Sequence, residues 1–120
     1  MFAQADRGIA GREIALQRID RQAEWLEVTL GSRLAAFAAG MSPAQLTHIA
    51  RREAAPGADE ERRVRNVFAV TSLLAARDGA GSAYAWLTEP NPELDGRSPA
   101  DLLREGSAPE NVWLAAATPF

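Results

Sequence analysis

Glycine and proline cut this chain into short lengths, and nearly every length between the cuts is built from strong helix formers. The cuts fall at Gly31-Ser32, Gly40, Pro56-Gly57, Asp78 to Ser82, Pro90 to Gly96, and Gly106. Alanine, leucine, arginine and glutamate dominate the intervals, and β-branched runs are missing. Such composition favours helix throughout, so the fold expected is all-α, a small helical bundle. A chain of 120 residues has room for about one domain with its own core, so neither metal nor disulfide is needed to hold it. It contains no cysteine, which excludes a disulfide framework, a thiolate nucleophile and a zinc finger.

The helices can be placed from their punctuation. Gly11 to about Leu30 carries a loose stripe of Ile14, Ile19, Ala23 and Leu26, with Arg18, Asp20, Arg21 and Glu24 on the wetter side. Ser32 is the expected cap of a short helix over 33–39, whose apolar positions are Leu34, Phe37, Ala38 and Met41. Ser42-Pro43 starts the next helix, with serine as N-cap and proline where its missing N–H costs nothing. After Pro56-Gly57, three acids at Asp59 to Glu61 suit the start of a long helix, with Val64, Val67, Phe68, Thr71, Leu74 and Ala75 buried. Ser82 is expected to cap a helix through Leu87, Ser98-Pro99 to open another that ends at Gly106, and Pro109 to open the last. This divides the chain into an N-terminal helix over 1–31, a helix-turn-helix segment over 32–57, and a helical unit over 58–120.

The stretch "LAAFAAGMSPAQLTHIARR", residues 34–52, fits a helix-turn-helix. That motif needs a small residue where its helices cross and a glycine where the turn requires positive φ; Ala36 and Gly40 sit at those places. Met41, Leu46 and Ile49 fall at the core offsets. Projected at about 100° per residue, Ala44, Thr47, His48 and Arg51 point away from that core, with Gln45 and Arg52 at one margin. Glutamine can pair with adenine and arginine with guanine, while Ser42 and the helix N-terminus suit a phosphate. The DNA-binding set is therefore Ser42, Gln45, Thr47, His48, Arg51 and Arg52, on double-stranded DNA. Affinity scales with phosphates neutralised, so so few cations call for a homodimer. The plain alternative is an αα-hairpin within a bundle, its polar residues merely solvated.

Charge supports a split of labour. Residues 31–56 carry Arg33, Arg51 and Arg52 against Glu53 alone, whereas residues 79–120 carry six carboxylates against Arg97 and Arg104. One part can meet a polyanion and the other cannot.

The second constellation is "AWLTEPNPELDGRSPADLLREG", residues 85–106. Pro90 and Pro92 fix φ and remove donors, Asn91 between them can bond nearby backbone, and Asp95-Gly96 makes a tight turn with Leu94 as its plug. From these residues alone, a corner that only stabilises the fold is as good a reading as a binding site. Trp86, Leu87, Pro90, Asn91, Leu94, Gly96, Pro99, Leu102, Leu103 and Gly106, with Val112 beyond, resemble the signature of the Xre/MbcA/ParS-like toxin-binding domain, over roughly residues 64–117. In that family an Xre-type helix-turn-helix precedes the domain, as residues 32–54 do here. The segment over 11–30 then stands in for the additional N-terminal helices of a full Xre domain, or serves dimerisation.

The resemblance implies an antitoxin whose partner is a RES-domain toxin that depletes or uses NAD. It implies that the C-terminal unit covers the toxin's active site and that the pair binds its own promoter. The toxin-facing residues it suggests are Trp86, Asn91, Arg97, Arg104, Trp113 and Phe120. A stand-alone helix-turn-helix regulator without a toxin is the competing reading. Catalysis finds no support. No nucleophile stands with a base, no ligand cluster suggests a metal, and "GAGS" lacks the strand a phosphate-cradling loop requires. No cofactor is expected. With no apolar run near the roughly 18 residues of a membrane span, and no secretory pattern at the N-terminus, the chain is expected in the cytoplasm and off the membrane.

Overall fold

The computed structural model describes residues 18–106 and 109–118, which form seven α-helices and no strand. The start of the expected N-terminal helix, residues 11–17, and the tail residue Phe120 lie outside the described residues. The fold is all-α.

Helix α1 (Ile19–Leu30) buries Gln22, Ala23, Leu26 and Leu30 on one face. Its Trp25 meets Phe68 edge to face, with ring centroids 5.1 Å apart, an arrangement that aromatic quadrupoles favour. A single residue, Gly31 at φ +85°, joins α1 to α2 (Ser32–Ala38). Gly31 N–H donates to Glu27 O, and Gly31 O accepts from Ala35 N–H. The glycine thus serves both helix ends, and Ser32 is the first helical residue rather than the cap expected of it. The buried face of α2 is Ala35, Ala36 and Ala38, while Leu34 is only half-buried and Phe37 is 38% exposed. Alanine, not the larger apolar residues, fills the buried face of this helix.

The chain then turns at Gly40, φ +73°. Gly40 N–H donates to Phe37 O and Met41 N–H to Ala36 O, both at 3.0 Å, the paired bonds of a Schellman ending. Helix α3 (Pro43–Ala50) opens with a full capping box. Ser42 N–H donates to Gln45 Oε1 at 2.9 Å, and Gln45 N–H donates to Ser42 Oγ at 3.1 Å. Leu46 and Ile49 face inward. The helix ends with the same paired bonds as α2, from Arg52 N–H to Ile49 O and from Glu53 N–H to His48 O, but with Arg52 at φ +63°. An arginine in the left-handed region costs roughly 1–2 kcal/mol that glycine avoids.

Helix α4 (Ala58–Asp78) is the central element, 21 residues and so about 31 Å long. Glu60 Oε1 accepts from Gly57 N–H, and the acids of its first turn pair with Arg62, Arg63 and Arg65 one turn on. Val64, Val67, Val70, Thr71 and Leu74 are buried, while Phe68 and Ala75 lie at the margin of that stripe. At Gly79, φ +93°, the chain passes directly into α5 (Ala80–Thr88), so Ser82 lies exposed inside the helix and caps nothing. A 3-10 turn (Pro92–Leu94), α6 (Pro99–Glu105) and α7 (Pro109–Ala117) complete the described chain. Buried residues from Ala23 to Ala116 form one continuous cluster, so α1–α3 and α4–α7 share a core. No described helix is long and apolar enough to cross a membrane.

Candidate partner-binding elbow and the outward face of α3

Between α5 and α6 the backbone is tied to itself. Asn91 O accepts from Leu94 N–H and Gly96 N–H, both at 2.9 Å. Asn91 N–H donates to Arg97 O and Arg97 N–H donates to Leu94 O, both at 3.1 Å. Asn91 Oδ1 accepts from Glu93 N–H at 2.8 Å, and Asp95 and Gly96 both take left-handed φ. Prolines stop α5 from running on, so these bonds are what the freed backbone finds instead. Leu94, 6% exposed, anchors the elbow in the core. Beyond it Ser98 Oγ accepts from Asp101 N–H, but Asp101 receives the Ser98 hydroxyl at 2.9 Å rather than its amide, which is half of a capping box.

Two grooves flank the elbow and share Glu93. One of about 290 Å³ is lined by Trp86, Glu89, Pro90, Asn91, Pro92 and Glu93. The other, about 390 Å³, lies between the elbow and α7 and takes in Leu94, Asp95, Arg97, Leu102, Asn111, Leu114, Ala115 and Thr118. Leu114 is 57% exposed there, and Trp113 on the same helix is 44% exposed beside a third groove that includes Val70 and Glu110. Glu89, Glu93, Asp95 and Glu110 pair with no arginine among the described residues. Arg97, by contrast, is engaged by Glu105, whose hydrogen bond and charge, with Asp101 adding to them, push its guanidinium above its ordinary value. The elbow is therefore a fixed backbone carrying unpaired carboxylates beside exposed apolar surface.

Among the toxin-facing residues suggested by the sequence, Trp86 and Asn91 meet in one groove, Arg97 lies in the second, and Trp113 borders the third. Arg104 stands apart. Its guanidinium lies 4.6 Å from the centroid of the Phe37 ring, and its Nη1 donates to Phe37 O at 2.9 Å. That places it against α2, a separation of 67 residues that no local pattern signals.

The outward face of α3 is more fully engaged than its projection suggested. Ser42, Gln45, His48, Arg51 and Arg52 are exposed. Thr47, however, is half-buried, and its hydroxyl donates to Glu27 Oε2 on α1 at 2.6 Å. His48 Nδ1 lies 2.9 Å from Glu53 Oε1, and Gln45 Oε1 is taken by the capping box. Asp20 on α1 also lies within the field of Arg52. Burial opposes its charged form, but the Arg18 hydrogen bond and the charges of Arg18 and Arg52 outweigh this and hold its carboxyl below the usual range. Sequence reasoning missed Glu27 and Phe37 as the partners of Thr47 and Arg104, because each acts across a tertiary contact.

Comparison with known proteins bears on the elbow. No curated protein and no solved structure shows a significant match to the chain. Residues 69–117 match the family described as the antitoxin Xre/MbcA/ParS C-terminal toxin-binding domain, beginning five residues later than the resemblance read from sequence. The match takes in the last ten residues of α4, the elbow and α6, and the whole of α5 and α7, so over residues 69–117 this chain is similar to the toxin-binding domain of the Xre/MbcA/ParS antitoxin family.

Proposed function

We propose that this protein is a cytoplasmic antitoxin that neutralises a RES-domain toxin by covering its active site with the elbow and α7, without cofactor or catalysis of its own. The observation that carries the reading is the coincidence of the matched toxin-binding domain with a rigid elbow whose carboxylates lack internal partners. Glu89, Glu93 and Asp95 complement a toxin pocket built to receive the phosphates of NAD, and Trp86 and Leu114 supply apolar area at their edges. Self-bonded backbone, anchored in the core by Leu94, keeps these groups in place before binding, which lowers the cost of ordering them. Of the sequence-derived set, Trp86, Asn91, Arg97 and Trp113 belong to this face.

The same protein binds its own promoter as a homodimer through α2 and α3, which we read as a helix-turn-helix. Support comes from the Schellman turn at Gly40, the capped N-terminus of α3 and the exposed Gln45, His48, Arg51 and Arg52. Thr47 serves mainly to seat α3 on α1. Residues 1–31 then supply the dimer contact, 32–57 the DNA surface and 58–120 the toxin surface, on one shared core. A regulator that has no toxin keeps the α3 surface and leaves the elbow idle, and the elbow's unpaired acids favour the antitoxin.

Coexpression with a candidate RES-domain toxin tests the reading. The parent should restore growth, and Glu89→Gln/Glu93→Gln/Asp95→Asn should bind that toxin about tenfold or more weakly, measured by calorimetry, with stability unchanged within about 0.5 kcal/mol. Equal affinity of the two proteins rejects the elbow as the docking face.

A further inference from the structure

The junction between α2, α4 and α6 holds two arginines that the proposed functions do not use. Arg63 of α4 donates from Nη1 to Arg104 O at 2.7 Å and from Nε to Asp59 Oδ2 at 2.8 Å. Its guanidinium lies between two left-handed glycines. A Cβ at Gly40 would come within 2.7 Å of Arg63 Nη1, and one at Gly106 within 3.0 Å of Nη2. Arg104, at the end of α6, donates to Phe37 O and covers the Phe37 ring. Phe37 O is also the acceptor of Gly40 N–H, so Arg104 grips the bond that closes the turn between α2 and α3.

The other side of α6 faces the larger groove, through Leu102 and, just before the helix, Arg97. A helix of seven residues cannot shift at Leu102 without carrying Arg104 with it. The geometry points to Arg63 and Arg104 as a clasp that couples occupancy of the groove between the elbow and α7 to the geometry of the turn at Gly40. Coupling of this kind is reciprocal: what tightens or loosens the turn from one side alters the groove from the other. The biological meaning, that a partner seated on the elbow changes how α3 is presented, rests on the proposed function; the clasp itself does not.

A test needs neither toxin nor DNA. The chain has no cysteine, so Leu114→Cys offers a single thiol at the groove, and N-phenylmaleimide there is a bulky occupant. Amide hydrogen exchange is read by NMR at Gly40 and Met41, with Glu53 at the end of α3 as an internal reference for global opening. The adduct is expected to change exchange at Gly40 and Met41 by about fivefold or more while Glu53 moves less than about twofold. In the Arg104→Ala background, and in Arg63→Ala, the adduct should leave Gly40 and Met41 unmoved. Where an alanine variant opens globally, shown by Glu53 rising with the rest, Arg104→Lys is read instead, since it keeps the charge and loses the planar fork. Indifference of Gly40 and Met41 to the adduct in the parent, or a response that survives loss of either arginine, overturns the clasp.

Discussion

The elbow and the outward face of α3 are both polar surfaces on short helices, yet they spend their side chains in opposite ways. On α3, Gln45 closes its own capping box, Thr47 is bonded to Glu27, and His48 leans on Glu53. At the elbow the bonding is done by backbone, from Asn91 to Arg97, and Glu89, Glu93 and Asp95 are left without an arginine among the described residues. A surface whose backbone is fixed and whose charges are unpaired is prepared for a partner. One whose side chains are already paired must give up internal bonds to bind. Glu27 and Glu53 would also face the phosphates of any duplex laid on α3. The difference teaches that the elbow keeps its carboxylates available to a partner, whereas α3 commits Gln45, Thr47 and His48 to contacts within the chain.

Four substitutions probe that contrast. Leu94→Ala removes the plug under the elbow and should cost about 2–5 kcal/mol, lowering the urea midpoint without changing the slope. A smaller loss means that the elbow is held by its hydrogen bonds alone. Arg52→Gly relieves the left-handed arginine and should raise stability by about 1 kcal/mol while weakening binding to promoter DNA. If the DNA affinity stays constant, Arg52 contributes nothing to the α3 surface and its strained geometry has no functional counterpart. Glu53→Gln removes an acid beside His48 and should tighten DNA binding about two- to fivefold at low salt, a gain that shrinks as salt is raised. Tightening equal at all salt concentrations argues against a charge effect.

The smallest effect concerns acid. The Arg63 hydrogen bond, against some desolvation and with the charges of Arg63 and Arg62 assisting, holds the Asp59 carboxyl below its usual range. A lowered folded value means that the contribution is complete above the unfolded pKa of about 3.9 and is lost as pH falls through the folded value. Parent and Asp59→Asn should therefore differ slightly in stability at neutral pH and converge as pH drops below about 4. Curves that stay parallel through the acid range remove Asp59 as an anchor of Arg63.

Much of this architecture could be read before any coordinates. Ser42-Pro43, Ser98-Pro99 and Pro109 mark their helix starts correctly, and Gly40 and Gly106 their helix ends. Ser32 and Ser82 misled because Gly31 and Gly79, at positive φ, turn the chain within one residue, so each serine falls inside the helix it was expected to cap. The alanines of α2 were undervalued for a related reason: close packing selects small residues, whereas periodicity counts large ones. The elbow was legible because its prolines and its Asp-Gly turn act locally. Partnerships such as Thr47 with Glu27, Arg63 with Arg104 and Arg104 with Phe37 span 20, 41 and 67 residues, and only the packed bundle brings them together.

Hydrogen exchange on the full chain, alone and bound to a toxin that it neutralises on coexpression, tests the central claim most directly. Slowed exchange over 86–97 and 111–118, with the amides of α3 unprotected by the toxin itself, is the predicted result. Protection centred on α3 with the elbow unchanged would contradict the account.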